Sequence, residues 1–327
     1  MTLHYRKLKI LLSTFLIIIL SEACKEKNET YPPQIWAEYP YAEEPVKERE
    51  IQTIFYESDH SIWLGSRGKE GLLFHNGYKW TEYNKGNTGI DFDSITCFLR
   101  DPNGTLWVGW RTGLAKFDNE TWQPVAELEG HCVTGLGSEG IGNMYAGIKD
   151  DDFGLAHFEN GSWDFFSGSN AGTAGSNTNA LLIDNEQYIW LATSDNGIRR
   201  GKNGVWEYLT EDLPLLSQNI TCMEQAADGS IWAGTDASQL IRIKDNEITI
   251  LTTGTSKPIT AIAFADDQSI YCSTKGAGII HYSGSAWNAV NSENVALPSD
   301  EIITLRKAES GRMYFSIPGG KVILIKL

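Results

Sequence analysis

Four basic residues, Arg67, Arg111, Lys149 and Lys275, stand at matching places in a phrase that recurs along the chain, and Trp110 directly precedes one of them. A planar guanidinium forks onto carboxylate or sulfate oxygens, an ammonium adds a point charge, and an indole face stacks on a sugar or aromatic ring. Arg67, Trp110, Arg111 and Lys149, with Lys275 at the periphery, are therefore the candidate ligand-binding residues. The ligand their chemistry suits is an anionic oligosaccharide. The remaining matching places hold Ser194, Asp236 and Pro318, so four of seven are basic, whereas 27 Lys and Arg in 327 residues predict fewer than one.

Trp110 has two readings. It lies three residues past the aromatic of its own strand, hence on the opposite face, where other copies of the phrase hold Ser66, Thr193, Thr235 and Thr274. It is either a local packing substitution or an exposed stacking platform. Catalysis would need convergent acids, bases or nucleophiles. His60, His75, His131, His157 and His281 are expected in solvated turns or on rims, so no catalytic residue is assigned. The run Lys149-Asp150-Asp151-Asp152 lacks the spacing of a calcium loop and reads as a solvated loop, so no metal and no cofactor is expected. Cys97, Cys132, Cys222 and Cys272 form no CxxC pair, and the equivalent "ITC" phrases at Cys97 and Cys222 point to buried free thiols rather than disulfides.

A repeat positions these residues. The aromatic of an "IW-x-small" phrase returns at Trp63, Trp107, Tyr145, Trp190, Trp232, Tyr271 and Tyr314, a period of about 42 residues, the length of a propeller blade. Two residues further on come Gly65, Gly109, Gly147, Ala192, Gly234, Ser273 and Ser316. Residues i and i+2 share a strand face, so each copy sets a large ring beside a gap, which suits sheets stacked closely face to face. A second tryptophan marks an outermost strand at Trp80, Trp122, Trp163, Trp206 and Trp287, with Ile248 of "EITIL" where one is missing. Each copy reads as four strands, as in "SITCFLRD", "TLWVGW", "GLAKFD" and "TWQPV", separated by Gly, Asn and Asp turns. Helical periodicity is absent. The stretch "SGSNAGTAGSNT", 167–178, reads as a mobile loop and a candidate lid.

The seventh copy ends at Leu327 after three strands, while "PQIWAEYP", with Trp36 and Tyr39, matches "KWTEY" of the outermost strand. The N-terminal strand is expected to complete the last blade and remove an open sheet edge. The fold class expected is all-β, a seven-bladed β-propeller of four-stranded antiparallel blades over residues 32–327. Its variable rim carries the second-to-third-strand turns and the connections between blades. The candidate basic residues sit there.

Residues 1–23 read as a lipoprotein signal peptide, in which His4, Arg6, Lys7 and Lys9 precede an apolar run, Ile10 to Leu20, too short to span a bilayer. The phrase "SEAC" resembles the lipobox of bacterial lipoproteins, which implies lipidation at Cys24 followed by a linker, 24–31. "KEKNE" resembles the charged export tag of surface-exposed lipoproteins. The expected location is the cell envelope, at the outer membrane, with the lipid anchor as the membrane contact. The net charge is −15, and −17 once residues 1–23 are removed, which excludes nucleic acid as an expected partner.

The phrases "DPNGTLWVGWRTGLAKFDNETW", "DGSIWAGTD", "DLPLLSQNI" and "ALPSDEI" resemble the two-component regulator propeller repeat, over about residues 32–327. That family includes periplasmic sensor domains of hybrid histidine kinases, often sensing oligosaccharides. The resemblance implies a ligand-binding propeller, here as a free-standing lipoprotein with one ring. The expected function is a non-enzymatic envelope module, monomeric, that recognises an oligosaccharide or an envelope protein. The alternative is a propeller-based polysaccharide lyase or glycosidase, and a purely structural scaffold is a third reading.

Overall fold

Each repeat folds as a four-stranded antiparallel meander, and seven such sheets make up the propeller. The computed structural model describes residues 34–38, 46, 49–58, 61–150, 153–166, 177–284, 286–295, 297–308 and 311–326, with the side chains of residues 34–38 and 326 outside that description. Blades 1 to 6 span residues 51–83, 95–124, 133–166, 178–208, 220–252 and 259–290. Blade 7 consists of three strands from 304–326 and the strand Gln34–Glu38.

The aromatic and its small neighbour work as the repeat required. Second strands such as Leu106–Trp110, Ile189–Thr193 and Ile231–Thr235 are buried at every residue, because a neighbouring blade packs on each face. A Cβ on Gly109 would lie 2.8 Å from Val133 Cγ1, and one on Gly234 would lie 2.6 Å from Ile259 Cγ2. The first apolar residue of the next blade therefore occupies the gap. The other side of each ring is covered by the third-strand residue directly opposite in the ladder. Phe74 stacks on Trp63 at 4.3 Å, His157 on Tyr145 at 4.1 Å and His281 on Tyr271 at 4.4 Å. Lys116, Arg200 and Arg242 place cations 5.9, 5.4 and 5.7 Å from the Trp107, Trp190 and Trp232 rings. A cation or flat ring over an indole face adds to the area buried.

Inner strands carry a second regularity. In blades 1 to 6 the ladder register shifts at the second residue, leaving Gln52, Thr96, Thr134, Asn179, Thr221 and Thr260 as bulged positions. A bulge re-aims its side chain. Each of these residues donates a hydrogen bond to the carbonyl that opens the next blade. Thr134 reaches Thr178 at 2.7 Å, Asn179 reaches Ile220 at 2.8 Å, Thr221 reaches Ile259 at 2.6 Å and Thr260 reaches Ile302 at 2.9 Å. Gln52 and Thr96 make the same bond to Ile95 and Val133. Blade 7 holds Ile303 at this place and closes the belt differently, through Ser316 Oγ to the Ile51 carbonyl at 2.7 Å. A ring of polar side chains thus ties neighbouring blades and satisfies carbonyls that the bulges free.

The closing strand pairs antiparallel with Lys321–Lys326, Gln34 opposite Lys326 and Glu38 opposite Ile323, with an irregularity between Ile35 and Ala37. The expected closure is present. The expected lipidation site, Cys24, and the expected signal peptide, residues 1–23, lie outside the described residues, as do residues 167–176 of the expected loop, whose last residue, Thr178, opens the inner strand of blade 4. One helical turn, Lys85–Thr88, was not legible from periodicity. Asn84 caps it by accepting from the Gly86 amide at 2.9 Å.

Candidate functional site

The four basic candidates occupy one rung of the variable rim. Each donates its backbone N–H to a carbonyl at the entry to its own blade: Arg67 to Glu50 at 2.7 Å, Arg111 to Asp93 at 3.1 Å, Lys149 to Cys132 at 2.8 Å and Lys275 to Pro258 at 2.9 Å. The backbone fixes their spacing, and side chains then pin the heads. Arg67 pairs with Glu50 at 2.8 Å and Arg111 with Asp93 at 2.7 Å, the two arginine side chains being 65% and 64% exposed. Lys149 Nζ donates to Asn179 Oδ1 at 2.7 Å. Arg111 and Lys149 come close enough to act together on Cys132: burial raises its pKa, and both cations work against that rise. Lys275 is exposed on blade 6, in a backbone bridge to Glu301. Exposed pairs of this kind contribute ~0–1 kcal/mol. They orient the guanidinium groups and leave most of their donors toward solvent.

Trp110 does not belong to this surface. It is 5% exposed, which overturns its reading as a stacking platform. Its strand is sandwiched between blades, so the face opposite the packing aromatic is also interior. The ring meets Phe92 edge-on at 5.2 Å, and its Nε1 donates to Thr112 Oγ1 at 3.1 Å. The turn explains why this blade alone carries tryptophan here. In blades 4 and 6 the equivalent Thr193 and Thr274 cap a longer turn, donating to Gly197 and Gly278 at 2.8 Å and accepting from Asn196 and Ala277. In blade 2 the ladder continues to Trp110 opposite Gly113, with Arg111 and Thr112 alone in the turn. No such longer turn needs a hydroxyl there, and the ring folds over Gly113 instead.

Of the histidines, His75, His157 and His281 depart from the expected turns and rims, His131 lies in the entry loop of blade 3, and His60 lies outside the described residues. His75 is buried at the end of a strand, with its pKa lowered by burial. His157 and His281 are third-strand residues stacked on tyrosines, not rim residues. His131 Nδ1 meets Asp150 Oδ2 at 2.6 Å, and Asp150 also accepts from the Phe153 amide at 2.8 Å. Among the described residues no group of three or more His, Cys, Asp or Glu could hold a metal ion. Cys97, Cys132, Cys222 and Cys272 are free. Burial pushes Cys97 up to about 12 and Cys222 up to about 11, so neither supplies a thiolate near neutrality.

Two functional candidates escaped the sequence reading. A central channel of about 310 Å³ is lined by the inner strands of all seven blades, and Glu224 and Arg306 are the charged residues among its lining. Both also line a mouth of about 560 Å³ on the side of the tight first-to-second-strand hairpins, with Ala263 of the intervening blade. The same inner-strand place is Phe55, Leu99, Gly137 and Leu182 in blades 1 to 4. Burial raises the Glu224 pKa, and the Arg306 charge works against that rise. Arg306 Nη1 donates to the Leu305 carbonyl at 3.1 Å. A desolvated carboxylate near a cation in a cleft makes this mouth a candidate site. The signal was available: these are the two repeat positions where charge replaces an apolar residue.

The two component regulator propeller family model matches residues 89–109 and 214–237, the entry loops and first two strands of blades 2 and 5. Those two segments match that family's repeat. No curated protein matches the sequence. Among solved structures, a catalytically inactive virginiamycin B lyase from Staphylococcus aureus with quinupristin superposes with a TM-score of 0.72 at 14% identity, covering 86% of this chain and 96% of that one. The extracellular domain of a protein described as a hybrid two component system of B. thetaiotaomicron gives 0.70 at 16% identity, over 85% of this chain and 38% of that one. PorZ of Porphyromonas gingivalis, described as a surface component of the type-IX secretion system, gives 0.66 at 15%, over 84% and 46%. At these identities the likeness establishes the fold.

Proposed function

We propose that this protein is a non-enzymatic binding module of the cell envelope that recognises an anionic oligosaccharide on its variable rim, through Arg67, Arg111 and Lys149, with Lys275 peripheral. One observation carries the reading: on consecutive blades, arginines of equivalent position are held outward by an acceptor from the blade's own entry loop, Glu50 or Asp93, with one nitrogen engaged and the rest facing solvent. A built row of oriented guanidinium groups on an acidic protein suits a ligand with repeated carboxylates or sulfates. The extracellular propellers of similar fold support the envelope location. Calorimetric titration of oligogalacturonates and sulfated oligosaccharides onto the chain from Cys24 is expected to show binding that weakens with salt. The Arg67/Arg111 double alanine variant should bind about tenfold more weakly or worse, about 1.4 kcal/mol. Undiminished binding by that variant would remove the rim as the site.

A second reading, a polysaccharide lyase or glycosidase, is favoured by Glu224 and Arg306 in the channel mouth. Glu224→Gln separates the two. A carboxyl whose folded pKa is raised binds its proton more tightly when folded, so its contribution to stability falls as pH climbs from the ordinary Glu range through the raised value. The binding reading expects the variant to lose that decline, to be more stable near pH 7, and to show unchanged ligand binding. Cleavage of a polysaccharide by the parent, abolished in Glu224→Gln, would establish the enzyme instead.

A further inference from the structure

Where an outermost tryptophan is present, it fills the seam between two blades. Trp122 of blade 2 stands opposite Phe117 and packs edge-on against Trp63 and Tyr83 of blade 1, at 6.1 and 5.4 Å. In blade 5 the matching pair is Ile243 opposite Ile248, and the place of Tyr83 is taken by Leu209 of blade 4. The rings that close the seam in blade 2 are thus replaced by aliphatic side chains. A groove of about 630 Å³ opens there, with the half-buried Leu209 and Ile248 on its apolar floor and Trp190, Ile231 and Ile243 nearly fully buried behind them.

The lip of this groove is polar and carries excess negative charge, with five acidic residues lining it against two basic ones. Arg200 is already engaged: its Nη2 reaches Glu207 Oε2 at 3.0 Å and Asn246 Oδ1 at 3.0 Å, and its guanidinium covers Tyr188 at 4.9 Å. Lys244 pairs with Asp228 at 3.0 Å. Glu186 and Asp245 stand in turns on the same lip, and their carboxylates have no hydrogen bond or ion pair among the described residues. The cations are taken and two carboxylates are free.

We propose that the groove between blades 4 and 5 is a second binding site, distinct from the rim, for an aromatic ring bearing a cationic amine. The ring enters the space that a tryptophan fills elsewhere, and the ammonium meets Glu186 and Asp245. Burial of an aryl face supplies the attraction, and the carboxylates set its sign. The site does not depend on the rim reading.

Tryptamine is the probe, titrated by calorimetry and by ligand-observed NMR onto the chain from Cys24. Saturable binding is expected, with indole-3-acetate about tenfold weaker or worse, because its carboxylate meets a negative lip. Ile248→Trp supplies the missing ring from within and should abolish tryptamine binding while leaving the melting temperature equal or higher. Ile243→Phe, which restores the residue found opposite Trp122, is the second filling variant should the first fail to fold. Asp245→Asn, at an exposed turn, should weaken tryptamine about threefold or more. Three results would each overturn the proposal: no tryptamine binding up to about 10 mM, equal binding of tryptamine and indole-3-acetate, or undiminished binding in a folded, groove-filled variant.

Discussion

A chain that begins after Glu38 is expected to melt about 8 °C or more below the chain from Cys24, and to scatter light on standing. The closing strand holds four register pairs with the last strand, from Gln34 opposite Lys326 to Glu38 opposite Ile323. At about 1 kcal/mol per net hydrogen bond, their loss costs about 4 kcal/mol, and a domain of this size loses about 2 °C per kcal/mol. The aggregation follows from what is exposed. Val322, Ile323, Leu324 and Ile325 are all buried in the closed ring, and without the closing strand they form a β-branched, apolar edge with unpaired N–H and C=O groups. Differential scanning calorimetry with light scattering tests this. A truncated chain with the parent's melting temperature would mean that the N-terminal strand decorates the last blade without closing it.

Blade architecture was legible because its determinants are local. A ring beside a small residue at i+2, repeated every 42 residues or so, states which strand is sandwiched and how closely. The closing strand was legible for the same reason, since its "IWAEY" phrase matches an outermost strand while the last copy lacks one. The rim residues were placed correctly because turn position follows from strand order. Their ion-pair partners were not, since Glu50 and Asp93 lie on the preceding loops and only the blade's curl brings them back.

The misreadings share a cause. Trp110 was left open as a platform and the histidines were assigned to turns and rims, whereas second strands of the propeller are buried on both faces and third-strand residues cover the rings of the second. In such strands a polar or outsized residue reports on its neighbour across the ladder: His157 on Tyr145, His281 on Tyr271, Trp110 on Gly113. The bulged belt was visible as a hydroxyl or amide after the first apolar residue of six inner strands, and its meaning appears once the ring is closed. Glu224 and Arg306 were each visible as a charge at an apolar repeat position, but their meeting at one channel mouth was not, because it depends on the closed ring.

Trp110→Ala is expected to destabilise the protein by about 3–5 kcal/mol, in the range of buried aromatic truncations, and to lower the melting temperature by about 6–10 °C. The ring is nearly fully buried in a cluster with Ile90, Phe92, Ile95 and Ala115, and the turn is built around it. A Cβ on Gly113 would lie 2.5 Å from Trp110 Cζ2, so the glycine exists to admit the indole. Phe92 meets the Trp110 edge at 5.2 Å and Trp122 at 5.2 Å, so removing one ring leaves a void that the other cannot fill without breaking its own contacts. Trp110→Thr, which installs the residue found in blades 4, 5 and 6, should not rescue, because the two-residue turn lacks the longer loop that Thr193 and Thr274 cap. Rim binding measured well below the transition should survive Trp110→Ala and fail in the Arg67/Arg111 variant, which separates packing from recognition. If Trp110→Ala instead melts with the parent and loses oligosaccharide binding, the indole faces the ligand after all, and the buried placement that assigns it to the core is wrong.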